Sequence, residues 1–120
     1  MARGDVLWVK LPGSDKREEQ GTRPAIAVQT DGTSSPMLMV VPITSSLAAL
    51  RFTFTVPIEP SQQNGLTLPS VAMVFQMRAI DRKRIIRVIG TLESEYLARI
   101  DAAIRDLLLP PQNDETKGEE

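Results

Sequence analysis

Hydrophobic and polar positions along this chain follow a strand-like period for its first ninety or so residues, then change to a period near 3.6. Val6-Leu7-Trp8-Val9-Lys10-Leu11 is apolar on both faces, which predicts a strand buried in a small core, with Trp8 as one of its core residues. Pro12 to Thr22 is rich in turn formers and charges and predicts a loop. Ala25 to Gln29 follows as a second strand, and Thr30 to Pro36 as a turn-rich connection. Met37 to Val41 predicts a third strand with both methionines in the core, running on through Pro42-Ile43 into the hydroxyls of Thr44, Ser45 and Ser46. Thr44 to Leu50 has the apolar side of one helical turn. Phe52 to Ile58 alternates strictly and predicts a half-buried strand, made an edge at its end by Pro57.

Glu59 to Pro69 reads as a loop, Ser70 to Met77 as a strand, Asp81 to Arg84 as a short turn, and Ile85 to Leu92 as a strand. From Glu93 onward Leu97, Ile100, Ile104, Leu107 and Leu108 form one helical stripe, stopped by Pro110-Pro111. The pattern is mostly β with a C-terminal helix, in a single domain over residues 1–109. Residues 110–120 form a polar, acidic tail that reads as disordered.

The 120 residues are 42% apolar and 24% charged, ordinary for a soluble globular chain. Net charge is −1, so no global positive field points to nucleic acid. Residues 1–109 carry thirteen Lys/Arg against eleven Asp/Glu, and the tail one against four. The one dense basic cluster is Arg78, Arg82, Lys83, Arg84 and Arg87, equally readable as a solvated turn or as phosphate contacts. Cysteine and histidine are both absent, which excludes disulfides, Cys/His zinc sites, Ser-His-Asp triads and histidine-based RNA cleavage. The expectation is a protein with no metal and no cofactor. No apolar leader or membrane-length segment is present, so the expected location is cytoplasmic.

Chemistry concentrates at Glu18-Glu19-Gln20-Gly21-Thr22-Arg23-Pro24. Proline fixes its own φ and pushes the preceding residue towards an extended conformation, so Arg23 is held at a strand entrance beside the loop. If that strand pairs with the one ending at Thr44-Ser45-Ser46, a cation and several hydroxyls converge on a phosphate-sized hole. Arginine matches phosphate oxygens with a planar fork of donors, Thr44 adds a hydroxyl, and Glu18 is the best local base. By residue type alone, however, such strand ends are more often structural than catalytic.

Arg3-Gly4-Asp5-Val6-Leu7-Trp8-Val9, Glu18 to Pro24, Val41-Pro42-Ile43-Thr44-Ser45 and Gln76-Met77-Arg78-Ala79-Ile80-Asp81 occur in the order found in the MazF/PemK/Kid toxins of bacterial toxin–antitoxin systems, and the chain resembles that family over residues 3–109. The resemblance implies an SH3-like small barrel of the MazF/Kid/CcdB type, working as a homodimeric, metal-independent endoribonuclease on single-stranded RNA. It implies Arg23 and Thr44 as catalytic residues, with Glu18, Gln20, Ser45, Gln76 and Arg78 contacting RNA. It also implies a cognate antitoxin of the MazE/PemI kind as partner, and DNA binding together with it. One departure stands out. Phe75 occupies the place of an acidic residue usual before the family's glutamine, and Met73 that of an arginine which some members pair with it. The alternatives are therefore a barrel that binds RNA or antitoxin but cuts poorly, and, ranked last, a gyrase poison. Phe75 itself reads as a core residue or as a stacking surface for a base.

Overall fold

The computed structural model describes residues 2–11, 21–30, 32 and 34–111. Seven strands and one helix carry the architecture: β1 (Asp5–Lys10), β2 (Thr22–Ala27), β3 (Met37–Thr44), β4 (Thr55–Ile58), β5 (Ser70–Met73), β6 (Arg78–Asp81), β7 (Ile85–Thr91) and α1 (Ser94–Leu108). All pairings are antiparallel, in the order β4-β5-β3-β2-β1-β7, with β6 also on β3. The ends of this sheet do not hydrogen-bond to one another, so the expected small barrel is barrel-like but not closed.

The bend has its cause in β3. Its residues Met37–Val40 pair with β6, whereas Ile43 and Thr44 pair with β5. Pro42, which has no N–H to give, sits at the change of partner, where a lost ladder bond costs least. Because the bent sheet buries both faces, β3 reads as a continuous apolar run. Val41 and Ile43 enter a larger core with Val6, Ile26, Val56, Ile58 and Ile100. Leu38 and Val40 enter a smaller one with Leu7, Val9, Ala25 and Ile80.

Helix α1 closes the larger core. Ile100 is fully buried, worth about 2 kcal/mol by area removed from water, and Leu97, Ile104 and Leu107 pack beside it. Leu108, expected in the same stripe, is 61% exposed. One residue past Leu107 is a further 100° round the helix, which turns it away from the sheet. Arg3 ties the chain start to this helix through an ion pair with Asp101, while its Nε donates to the Val28 carbonyl at 3.0 Å.

Three strand expectations need correction. β2 starts at Thr22, so Arg23 and Pro24 lie within the strand rather than before it. The strand expected over Phe52 to Ile58 begins only at Thr55, because Phe54 takes a φ of 61° that breaks the alternation; Leu47–Arg51 is a 3-10 helix. Ser70 to Met77 is not one strand, since a 3-10 turn at Val74–Gln76 separates β5 from β6 and lets β3 exchange partners. Of the two methionines expected in the core from β3, Met37 is exposed at the start of the strand and Met39 packs on a core. No described helix is long and apolar enough to cross a membrane. Residues 112–120 of the expected tail and 12–20 of the expected loop lie outside the described residues.

Candidate functional site

The cleft of interest opens where β2 and β3 part. Leu11 N–H donates to the Gly21 carbonyl at 2.8 Å, so by alternation Gly21, Arg23 and Ala25 turn their main chains to β1 and Pro24 turns towards β3. Proline cannot donate there, and the β2–β3 ladder ends at Ala25 opposite Pro42. Continuing that register by two residues sets Arg23 opposite Thr44, on the same pleat face. Beyond the last rung the strands enclose a cleft of about 520 Å³. Thr22-Arg23-Pro24 line one side and Ile43-Thr44-Ser45 the other, with Trp8, Arg87 and Ile89 from the flanking strands and Gly65–Leu68 as a further wall. Consecutive residues line it because the gap runs between the strands rather than over one face.

Arg23 and Thr44 are half-buried here, and Ser45 is exposed at the rim. The Thr44 Oγ1 accepts the Ser46 N–H at 3.1 Å. That bond uses an acceptor pair and leaves the hydroxyl proton to donate outward. The structure thus brings together Arg23, Thr44 and Ser45. Gln76 and Arg78, both exposed, do not line this cleft; they lie at the end of the 3-10 turn and at the start of β6 opposite Val40. Glu18 and Gln20 lie outside the described residues.

The basic cluster is divided by the fold. Arg82 Nε donates to the Ser35 carbonyl at 2.8 Å, and the Asp81 carboxylate accepts the Lys83 N–H at 2.9 Å, so these residues build the β6–β7 turn. Only Arg87 reaches the cleft. Phe75 is partly buried against Ala49, Val71 and Met73, and its ring lies 5.3 Å from that of Phe52 at 46°. It is therefore absorbed in a side cluster away from the cleft. Sequence reasoning missed Trp8 as a cleft residue. It is half-buried, while Val6, Leu7 and Val9 around it are fully buried. No signal in the strand pattern distinguishes it, since an apolar run on both faces hides the one position that opens.

The Gly65–Leu68 wall is held from behind by a polar knot. Asn64 is fully buried with every side-chain group used. Its Oδ1 accepts from the Ser61 and Leu66 N–H groups, each at 3.0 Å, and its Nδ2 donates to the Glu59 carbonyl and to Glu93 Oε1, also at 3.0 Å each. Ser61 Oγ donates to Glu93 Oε2 at 2.6 Å. Glu93 stands at the N-cap of α1, so the knot joins loop, helix and cleft wall.

Desolvation raises the Glu93 carboxyl, but the hydrogen bonds from Ser61, its own main chain and Asn64 prevail and hold it below its ordinary value of 4.5. A carboxyl depressed on folding stabilises fully above its unfolded value and loses that contribution as pH falls through its folded value. Melting temperature in wild type should therefore decline as pH drops below about 4.5. In Glu93→Gln that part of the decline should disappear. Thermal melts of both proteins between neutral pH and pH 3 check it, and superimposable pH slopes would refute it.

Among the described residues no group of three or more His, Cys, Asp or Glu gathers as a metal site. The chain matches the family model of the PemK-like, MazF-like toxin of type II toxin–antitoxin systems over residues 2–108. It is 30% identical over 105 residues to the Endoribonuclease EndoA of Bacillus subtilis, covering 86% of this chain and 90% of that protein. It is also 30% identical to the Endoribonuclease MazF9 of Mycobacterium tuberculosis, covering 88% and 93%. In fold it is similar to a mycobacterial endoribonuclease solved in complex with its cognate antitoxin, with a TM-score of 0.71, 19% identity and coverage of 93% and 99%. With the family model spanning nearly its whole length and the Arg23 and Thr44 motifs meeting at one cleft, the chain belongs to the PemK-like, MazF-like toxins of type II toxin–antitoxin systems.

Proposed function

We propose that this chain is a sequence-selective endoribonuclease that cuts single-stranded RNA through the RNA's own 2′-hydroxyl. The observation that carries the reading is that Arg23 and Thr44 line one cleft, just beyond the last rung of the β2–β3 ladder. In this mechanism the 2′-oxygen attacks phosphorus, Glu18 takes its proton, and the bond to the 5′-oxygen breaks as that oxygen receives a proton. The products are a 2′,3′-cyclic phosphate and a 5′-hydroxyl. Arg23 offers its donor fork to the charge that grows on the phosphoryl oxygens, and the Thr44 hydroxyl donates to the same group. The family resemblance gives Arg23 the proton donor's part as well. Because the nucleophile belongs to the substrate, the reaction calls for no metal-activated water. Ser45 at the rim, with Gln20, Gln76 and Arg78, contacts the flanking RNA.

The working form in this reading is a homodimer, with RNA lying across a groove fed by both copies. Its regulator is an antitoxin whose acidic, partly disordered segment covers that groove. Support comes from the mycobacterial neighbour, whose structure holds its cognate antitoxin. The test is incubation of the purified protein with a long RNA in EDTA, followed by primer extension. Discrete cuts with cyclic phosphate ends are expected. Intact RNA in the presence of folded protein would overturn the reading.

A further inference from the structure

At one end of the sheet, across β2, β1 and β7, three side chains stand in one row. The pairings of Trp8 with Pro24 on β2 and with Arg87 on β7 put all three on the same face, side by side. All three line the cleft. We propose that Trp8, flanked by Pro24 and Arg87, is a stacking shelf for one unpaired nucleobase of the RNA, next to the phosphate held by Arg23 and Thr44. The inference rests on the ribonuclease reading above and adds a binding subsite to it.

Four features support a planar, electron-rich ligand. Trp8 is the residue of β1 that combines a large aromatic ring with incomplete burial, and it opens into a volume of about 520 Å³, within the range of about 300–1,000 Å³ usual for ligand sites. The Arg87 guanidinium stands 6.0 Å from the indole centroid, at the outer limit of a cation–π contact. Arg87 is exposed, so a modest movement lets the cation cover a base lying on the ring. Finally, the remaining walls are of mixed character: Thr22, Thr67 and Ser70 line the cleft together with Gly65, Leu66 and Leu68 and the apolar rings of Trp8 and Pro24. Ring and cation give affinity that tolerates any base, and the polar wall reads the base edge.

The position suits one nucleotide. Pro24 follows Arg23 directly, and Ile43 in the same cleft precedes Thr44. Consecutive strand residues point to opposite faces, but here both faces open into one cleft of about 520 Å³, so shelf and phosphate site share the same space. An apolar anchor from a protein partner is the rival occupant, but it would gain nothing from Arg87 or the hydroxyls.

Trp8 is the chain's single tryptophan, so its fluorescence reports on the shelf alone. The probe is an RNA oligonucleotide spanning a mapped cut, with a 2′-deoxy sugar at that position to block cleavage. Binding should quench Trp8. Trp8→Ala should weaken Kd by about ten- to a hundred-fold and Trp8→Phe by less than about five-fold, given what base–aromatic stacking contributes. A set of oligonucleotides with one abasic site each should reveal a position whose base matters in wild type and ceases to matter in Trp8→Ala. Circular dichroism of each variant separates lost folding from lost stacking, and Arg87→Ala, on an exposed side chain, gives a second reading with an expected loss of about three- to ten-fold. Oligonucleotide that binds and is cut when ribose is restored, with Trp8 unquenched and Trp8→Ala neutral, would overturn the shelf and leave the ribonuclease reading standing. Quenching by an antitoxin peptide alone would assign the shelf to a protein ligand and overturn it equally. Absence of both cleavage and binding would remove both readings.

Discussion

Replacing Arg23 by alanine is expected to lower the rate of RNA cleavage by about 10²–10³-fold while leaving the fold intact. Removing one preorganised donor from a developing oxyanion has an effect of that size. Arg23 lies one residue beyond Pro24, past the end of the β2–β3 ladder, and is half-buried. It lies outside the hydrophobic cores, so the melting temperature should change by no more than roughly 3 °C, as for most substitutions outside a core. Arg23→Lys keeps the charge and loses the planar fork. If it recovers less than about a tenth of the lost rate, two-point recognition of the phosphate is the main contribution. Full recovery would mean that a point charge suffices. Single-turnover cleavage of one defined RNA, beside a thermal melt of each variant, makes the measurement. Arg23→Ala protein that cuts within about three-fold of wild type would remove Arg23 from the chemistry and, with it, the site.

How far the sequence discloses this site depends on what each feature requires. Arg23-Pro24 and Pro42-Ile43-Thr44 are legible because proline acts locally, fixing φ and removing a donor wherever it stands. The same two prolines do more than the sequence discloses. Pro24 ends the ladder and Pro42 marks the change of partner on β3, and both effects exist only once register is known. Strand existence was legible from apolar runs, whereas the breaks at Phe54 and at Val74–Gln76 were not. A strictly alternating Phe52–Ile58 cannot signal that one residue takes a left-handed φ. Trp8 was hidden for a related reason. Periodicity reports which face a residue occupies, not whether that face is covered along its whole length. The polar knot at Asn64 was invisible too, since its partners Ser61 and Glu93 are joined only by the return of β7 past the loop.

That return is close enough to be tested by a single methyl group. A Cβ built at Gly90 would lie 2.4 Å from the Asn64 carbonyl carbon and 2.5 Å from the carbonyl oxygens of both Asn64 and Gln63. These are main-chain atoms held by the Thr91 N–H to Gln63 bond at 2.8 Å and by the buried Asn64 side chain. Neither neighbour can swing aside as a flexible side chain would. Gly90→Ala must therefore push the loop off β7, at a cost of roughly 3 kcal/mol, which lowers Tm by roughly 10–15 °C in a chain of this size. Gly32→Ala is the control, because Gly32 has a φ of 87° but, among the described residues, nothing within 4 Å of the added carbon. Its effect is backbone strain alone, about 1–2 kcal/mol. The larger loss at Gly90 should also reach the chemistry. Gln63 and Asn64 lead directly into Gly65–Leu68, so displacing them moves the cleft wall, and the KM for RNA should rise at temperatures where the variant is still folded. A Gly90→Ala protein as stable as wild type would show that the loop yields without cost. The wall of the cleft would then be a soft surface, and the knot around Asn64 would have no part in holding it.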